Sequence, residues 1–159
     1  MPFPDYEEFI ALLNEHRVRY LIIGAQALAY HARPRATKDL DIFIEPSARN
    51  ATRLLAALRE FFGVETNYTI EDVIDSRSII QIGVAPVRID LFSHVPGVGR
   101  FADAWEKRVN GRFGPVRTYV ISLDDLIAAK EATNRLQDRA DVRALKRARD
   151  KVSQSSKRK

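Results

Sequence analysis

Tyr6, Phe9, Ile10 and Leu13 recur at i, i+3, i+4 and i+7, which predicts a helix over Asp5 to His16 with Asp5 as its N-cap. Tyr20-Leu21-Ile22-Ile23 is a continuous apolar run stopped by Gly24, the pattern of a short buried strand. Good helix formers then run from Ala25 to His31 ahead of a breaker at Pro34, so the reading is strand, tight turn, helix. From Lys38 to Glu45 the pattern alternates: Leu40, Ile42 and Ile44 share one strand face, and Asp39, Asp41 and Phe43 share the other. Ser47 caps a helix through Phe62 with Leu54, Leu55 and Leu58 as its apolar stripe, and Gly63 ends it.

Residues 64–77 show no clear period, and Ser78 to Gly83 and Val87 to Phe92 read as two strands joined by a short hairpin link. Gly97 and Gly99 mark a loop before a helix from Phe101 to about Val109, and Val116 to Ile121 is a further strand. Ser122 with Asp125 is a variant capping box opening a helix that carries Leu123, Leu126, Ile127 and Lys130. A last helix is expected over Asp138 to Asp150, with Val142 and Leu145 inward and Arg139, Arg143 and Arg147 outward. The pattern predicts an α/β (α+β) fold: a short mixed sheet flanked by helices, closed by a helical C-terminal part.

Length changes this picture only by limiting it, since 159 residues suit one domain, placed at 1–150. The composition, 45% hydrophobic and 30% charged, is that of a globular chain, and no apolar run approaches the roughly 20 residues that cross a bilayer. No signal-peptide pattern opens the sequence and there is no cysteine, so the expected location is the cytoplasm, with no membrane partner. Charge is more informative. The net +5 is uneven, with nine Lys/Arg against three Asp over residues 138–159 and seventeen against eighteen elsewhere. Such a basic end attracts phosphate-rich partners and also serves solubility; residues 151–159 are expected to be a disordered basic tail.

The chemistry concentrates in the acids. Asp39 and Asp41, spaced by the strand period, lie on one face roughly 6–7 Å apart. Their repulsion calls for a positive charge between them, and Mg²⁺, with Mn²⁺ as its substitute, accepts such oxygen ligands and bridges to substrate phosphates. A solvated edge-strand face is the other reading of these two acids alone. Asp90, flanked by Ile89 and Leu91, adds an isolated acid on a second strand. Three carboxylates can hold two metals for in-line phosphoryl displacement, a reaction that needs positioning and charge neutralisation from Gly24, the helix start after it, Arg35, Thr37 and Lys38. No Ser-His-acid set, Walker loop or histidine pair competes.

Ile23-Gly24-Ala25-Gln26-Ala27, then Arg35-Ala36-Thr37-Lys38-Asp39-Leu40-Asp41, then Arg88-Ile89-Asp90-Leu91, resemble the three motifs of the polymerase-β-type nucleotidyltransferase superfamily. Lys130, Arg135, Asp138 and Asp141 match, in order and spacing, a further motif of its minimal branch, which includes the abortive-infection AbiEii-type toxins. The resemblance spans roughly residues 18–145. It implies that Gly24 begins a nucleotide-phosphate turn, that Asp39, Asp41 and Asp90 bind metal, and that Lys130 contacts phosphate or base. It further implies that Asp138 or Asp141 orients the acceptor or Lys130, with Arg135 beside them. Where the family has Gly-Gly or Gly-Ser, this chain has Ala25, whose backbone N–H can still meet a phosphate.

The implied activity is transfer of a nucleoside monophosphate from an NTP to RNA (tRNA included), a protein or a small molecule, in a toxin–antitoxin pair with a cognate antitoxin. A non-catalytic nucleotide-binding or protein-interaction module of the same fold is the alternative, favoured by Ala25 and opposed by the acid triad. His31 reads first as a helix C-terminal histidine and second as a phosphate contact. Trp105 reads as a core anchor, and Lys130, without the resemblance, as a lysine lying along an apolar stripe with its head in water.

Overall fold

A computed structural model describes residues 4–32, 39–84 and 87–157. Arg33, Arg35, Thr37, Lys38 and the Ala85-Pro86 link fall outside the described residues, as does the side chain of Asp5. The chain opens with α1 (Pro4–Glu15), whose predicted stripe of Tyr6, Phe9, Ile10 and Leu13 is fully buried. It continues through β1 (Tyr20–Ile23), α2 (Gly24–His31), β2 (Asp39–Ile44), α3 (Ala48–Phe62) and α4 (Ile70–Ile74). Then come β3 (Ile79–Val84), β4 (Val87–Phe92), α5 (Phe101–Glu106), β5 (Val109–Phe113), β6 (Val116–Val120), α6 (Leu123–Thr133) and α7 (Leu136–Lys157).

Six strands form one mixed sheet in the order β3-β4-β2-β1-β6-β5. The all-apolar β1 lies inside it, antiparallel to β2 and parallel to β6, and all four of its residues are buried, as a continuous apolar run requires. β2 runs parallel to β4, so the two strands present their N-terminal ends at the same edge of the sheet. Leu40, Ile42 and Ile44 are buried on one face of β2, while Phe43 packs edge-on against Phe101. The alternation read from the sequence is therefore the alternation of the strand.

Four local expectations change. The ambiguous stretch contains α4, opened by a full capping box in which Thr69 and Asp72 exchange bonds. At Ser122 only half of the expected box forms, because Asp125 turns its carboxylate to Lys107 at 2.9 Å. The helix from Phe101 stops at Glu106 and Val109 starts an edge strand, β5. Gly111, at the centre of β5, leaves room for the Tyr30 ring, which breaks the apolar alternation that would have announced a strand. Finally, α7 runs on to Lys157, so most of the segment expected to be disordered is helical and exposed.

Trp105 is partly buried, stacked on Phe101 and covered by the Arg108 guanidinium at 4.0 Å, the arrangement of a core anchor. α6 and α7 pack on each other and on α2, which sets the helical C-terminal part beside the acidic end of β2. No described helix is long and apolar enough to cross a membrane.

Candidate active site

The parallel register of β2 and β4 places Asp41 opposite Asp90 and Asp39 opposite Arg88. Paired positions of adjacent strands share a face about 4.8 Å apart, so three carboxylates and one guanidinium are gathered on two neighbouring interior strands. Asp41 responds as a crowded acid should: burial first, then the charges of Asp90 and Asp39, push its carboxyl up to about 6, against the opposing pull of Arg88 and Lys130.

Arg88, a motif residue to which the sequence assigns no role, is central to the geometry. Its Nε and Nη2 donate to the two oxygens of buried Asp90 at 3.2 and 3.0 Å, and Nε lies 3.9 Å from Asp39. The signal that would have found it is its position two residues before Asp90, hence on the same strand face. The backbone of Arg88 is fixed in turn by the Tyr6 hydroxyl, which lies 3.0 Å from both its N–H and its carbonyl. The desolvated Tyr6 phenol is raised, first by burial and then by the three nearby aspartates, against the bond to Arg88.

Gly24 follows β1 and is the first residue of α2, at φ +67°, a left-handed conformation that favours glycine. A Cβ added there would collide with the Asp41 carboxylate oxygen Oδ2. The glycine thus lets the backbone at the start of α2 lie directly against the acid. The N-cap residue Ile23 offers no side-chain acceptor, so among the described residues the first N–H groups of α2, including that of Ala25, have no side-chain cap.

Lys130 belongs to α6 and is buried, not extended along the surface into water. Its ammonium donates to Asp141 at 3.1 Å and lies 3.5 Å from Asp138, and its charge reaches Asp41. Asp138 also accepts from the Thr133 hydroxyl at 2.6 Å and from the backbone and side chain of Arg135 at 3.2 and 3.0 Å. Burial alone would raise Asp138, but those hydrogen bonds and the Lys130 charge outweigh it and hold the carboxyl at about 2. Arg135, Asp138 and Asp141 therefore build the α6–α7 elbow that presents Lys130. His31, in the last turn of α2, donates from Nε2 to the Ile121 carbonyl at 2.7 Å, and burial lowers its pKa against that bond.

The donors gathered here are hard carboxylate oxygens, the type that Mg²⁺ and Mn²⁺ take. Among the described residues, no three His, Cys, Asp or Glu side chains close to coordinating distance. Arg88 holds both oxygens of Asp90, so the acids as placed match a divalent cation in donor type but not in spacing. Replacing Arg88 with Gln should therefore make the metal-free protein melt at a lower temperature, since the acids lose their counter-charge. It should also tighten Mn²⁺ binding roughly tenfold, since the competing cation is gone. Melting curves in EDTA and an electron-paramagnetic-resonance titration of free Mn²⁺ test both halves, and weaker Mn²⁺ binding would refute the competition.

The site thus joins acids on two neighbouring parallel strands of a mixed sheet to a glycine turn pressed against one of them. The chain belongs to the family described as Nucleotidyltransferase of unknown function (DUF6036), whose model matches residues 5–150. The solution structure of the antibiotic-resistance factor ANT(2'')-Ia is similar over 89% of this chain and 80% of its own, at 15% identity and a TM-score of 0.54. The crystal structure of an antigenic nucleotidyltransferase-like protein from Paracoccidioides brasiliensis is similar over 93% of this chain and 78% of its own, at 13% identity and a TM-score of 0.52. At such identities the likeness is one of fold. No curated protein matches the sequence significantly.

Proposed function

We propose that the protein is a divalent-metal-dependent nucleotidyltransferase that moves a nucleoside monophosphate from an NTP to an acceptor hydroxyl. The observation carrying this reading is the register of Asp41 with Asp90, closed on one side by the backbone of Gly24. In the reaction an acceptor oxygen forms a bond to the α-phosphorus, the bond from that phosphorus to the bridging oxygen breaks, and pyrophosphate leaves. The hydroxyl proton passes to solvent. Bound Mg²⁺ or Mn²⁺ would neutralise developing charge and polarise the phosphate.

This chain's own groups supply the rest. Asp39, Asp41 and Asp90 hold the metal, the uncapped start of α2 with Ala25 N–H receives the phosphates, and Lys130 adds positive charge from the opposite wall. Arg35, Thr37 and Lys38 complete the nucleotide contacts in this reading. The motif likeness to AbiEii-type toxins extends the proposal to a toxin acting on RNA or protein and held by a cognate antitoxin.

The test is incubation with each α-labelled NTP, Mg²⁺ or Mn²⁺, and in separate reactions total RNA, total protein or an aminoglycoside. Divalent-dependent label on one acceptor class, with matching pyrophosphate release, is expected, and Asp41→Asn should abolish it. A folded protein that binds Mg²⁺·NTP yet releases no pyrophosphate with any acceptor would favour the non-catalytic module instead.

A further inference from the structure

Several cations at the α6–α7 elbow and along α7 are matched. Arg135 is bonded to Asp138, Arg139 to Asn134, Lys146 lies 3.7 Å from Glu131 and Arg149 lies 3.2 Å from Asp124. Among the described residues, Arg143, Arg147 and Lys151 make no hydrogen bond or ion pair, and all three are exposed. They stand at i, i+4 and i+8, one ridge with steps of about 6 Å set by the 1.5 Å rise of the helix. That step is comparable with the separation of successive phosphates along one nucleic-acid strand.

Two hollows flank the ridge. One, of about 380 Å³, lies at the α6–α7 elbow and is lined by Lys130, Asn134, Arg139 and Arg143 with Glu131 and Val142, so the ridge begins beside the lysine whose charge reaches Asp41. The other, of about 330 Å³, is lined by His31, Ala32, Ala144, Arg147, Ala148 and Lys151, with no acid among the described residues that line it. α2 connects this second hollow to the active site. Its eight residues span about 12 Å, with Gly24 against Asp41 at one end and His31 at the other.

An independent feature sits at the same end of α2. Tyr30 is 46% exposed although its ring packs over Gly111 and meets His31 edge-on at 5.1 Å. An aromatic ring held firmly with nearly half its surface in water, next to a basic hollow, is the pairing that single strands exploit: a base stacks while neighbouring phosphates meet cations.

We propose that Tyr30, the second hollow and the Arg143–Arg147–Lys151 ridge form a docking track for single-stranded RNA, which delivers an acceptor hydroxyl to the site at Asp41. The proposal rests on the transferase reading for its meaning, but binding by the track needs neither metal nor nucleotide. A duplex fits the single-file ridge poorly, because duplex RNA is gripped by contacts spread over two grooves. A polyacidic protein segment would use the cations but has no base for Tyr30.

The experiment measures binding of a labelled twelve-nucleotide single-stranded RNA in EDTA, without NTP, across a range of salt concentrations. Relative to wild type, the variant with Arg143→Gln, Arg147→Gln and Lys151→Gln should lower the slope of log affinity against log salt by about 2, three cations at about 0.7 each. Tyr30→Leu, which keeps bulk over Gly111, should weaken binding roughly tenfold with the slope unchanged. Asp41→Asn should bind RNA as wild type does, so loss of catalysis and loss of docking are separately visible. An unchanged slope in the triple variant overturns the track, as does tighter binding of duplex RNA or polyglutamate than of the single strand.

Discussion

Replacing Asp41 with Asn should stabilise the metal-free protein at neutral pH by about 1–3 kcal/mol while removing divalent-dependent nucleotide binding. The wild-type carboxyl is held at about 6 against an ordinary 3.8, so the folded state binds more protons than the unfolded state between those two values. The contribution of Asp41 to stability is then most favourable below about pH 4, falls as pH rises through 6, and at pH 7 carries the full cost of the crowded charge. Asn keeps the shape and removes the charge. The mutant's advantage should vanish near pH 4 and be complete by pH 7.5, an increase of roughly 3–8 °C in melting temperature for a chain of this size. Adding Mg²⁺ and NTP should raise the wild-type melting temperature and leave the mutant's unmoved. Equal stability of the two proteins at both pH values, with no response to ligand, would return Asp39 and Asp41 to the reading of a solvated strand face.

That the acids share a face was legible because the strand period is local: Asp39 and Asp41 flank Leu40, and nothing distant can alter the alternation. Their partner was not. The parallel pairing that sets Asp41 opposite Asp90 joins segments separated by a helix, a short turn of helix and another strand, and no periodicity in the sequence encodes such a register. Arg88, two residues before Asp90, falls under the same alternation rule, so its place on the acid face is local information whereas its bonds to Asp90 are not.

Lys130 shows the same limit from another side. Its place on an apolar helical stripe was visible, yet its burial depends on Asp138 and Asp141 returning from the next helix across the elbow. The misses in secondary structure are of a different kind. α4 is only five residues long, β5 is an exposed edge strand interrupted by Gly111, and Ser153-Gln154-Ser155-Ser156 extends α7 without the apolar stripe that marks a packed helix. Each is an element held by context or capping, where hydrophobic pattern carries little information.

Gly24→Ala should destabilise the fold by about 2–4 kcal/mol and sharply weaken Mg²⁺·NTP binding, and the cost divides into two parts that can be measured separately. The first is backbone strain, about 1–2 kcal/mol for holding a residue with a side chain at φ +67°. The second is the collision of the new methyl with the Asp41 carboxylate, which is rooted in buried β2 and can move only by dragging the acid away from Asp90. An Asp41→Ala background deletes the colliding oxygen but leaves Asp41's Cβ position, 3.1 Å from the added methyl, a contact that needs a shift of only a few tenths of an ångström. In that background Gly24→Ala should therefore cost little more than the backbone part. Urea unfolding of wild type, the two single variants and the double variant gives the interaction energy directly, about 1–2 kcal/mol of coupling in this account. Strict additivity would mean that the start of α2 does not bear on Asp41, and the close approach that shapes the candidate site would have no energetic weight.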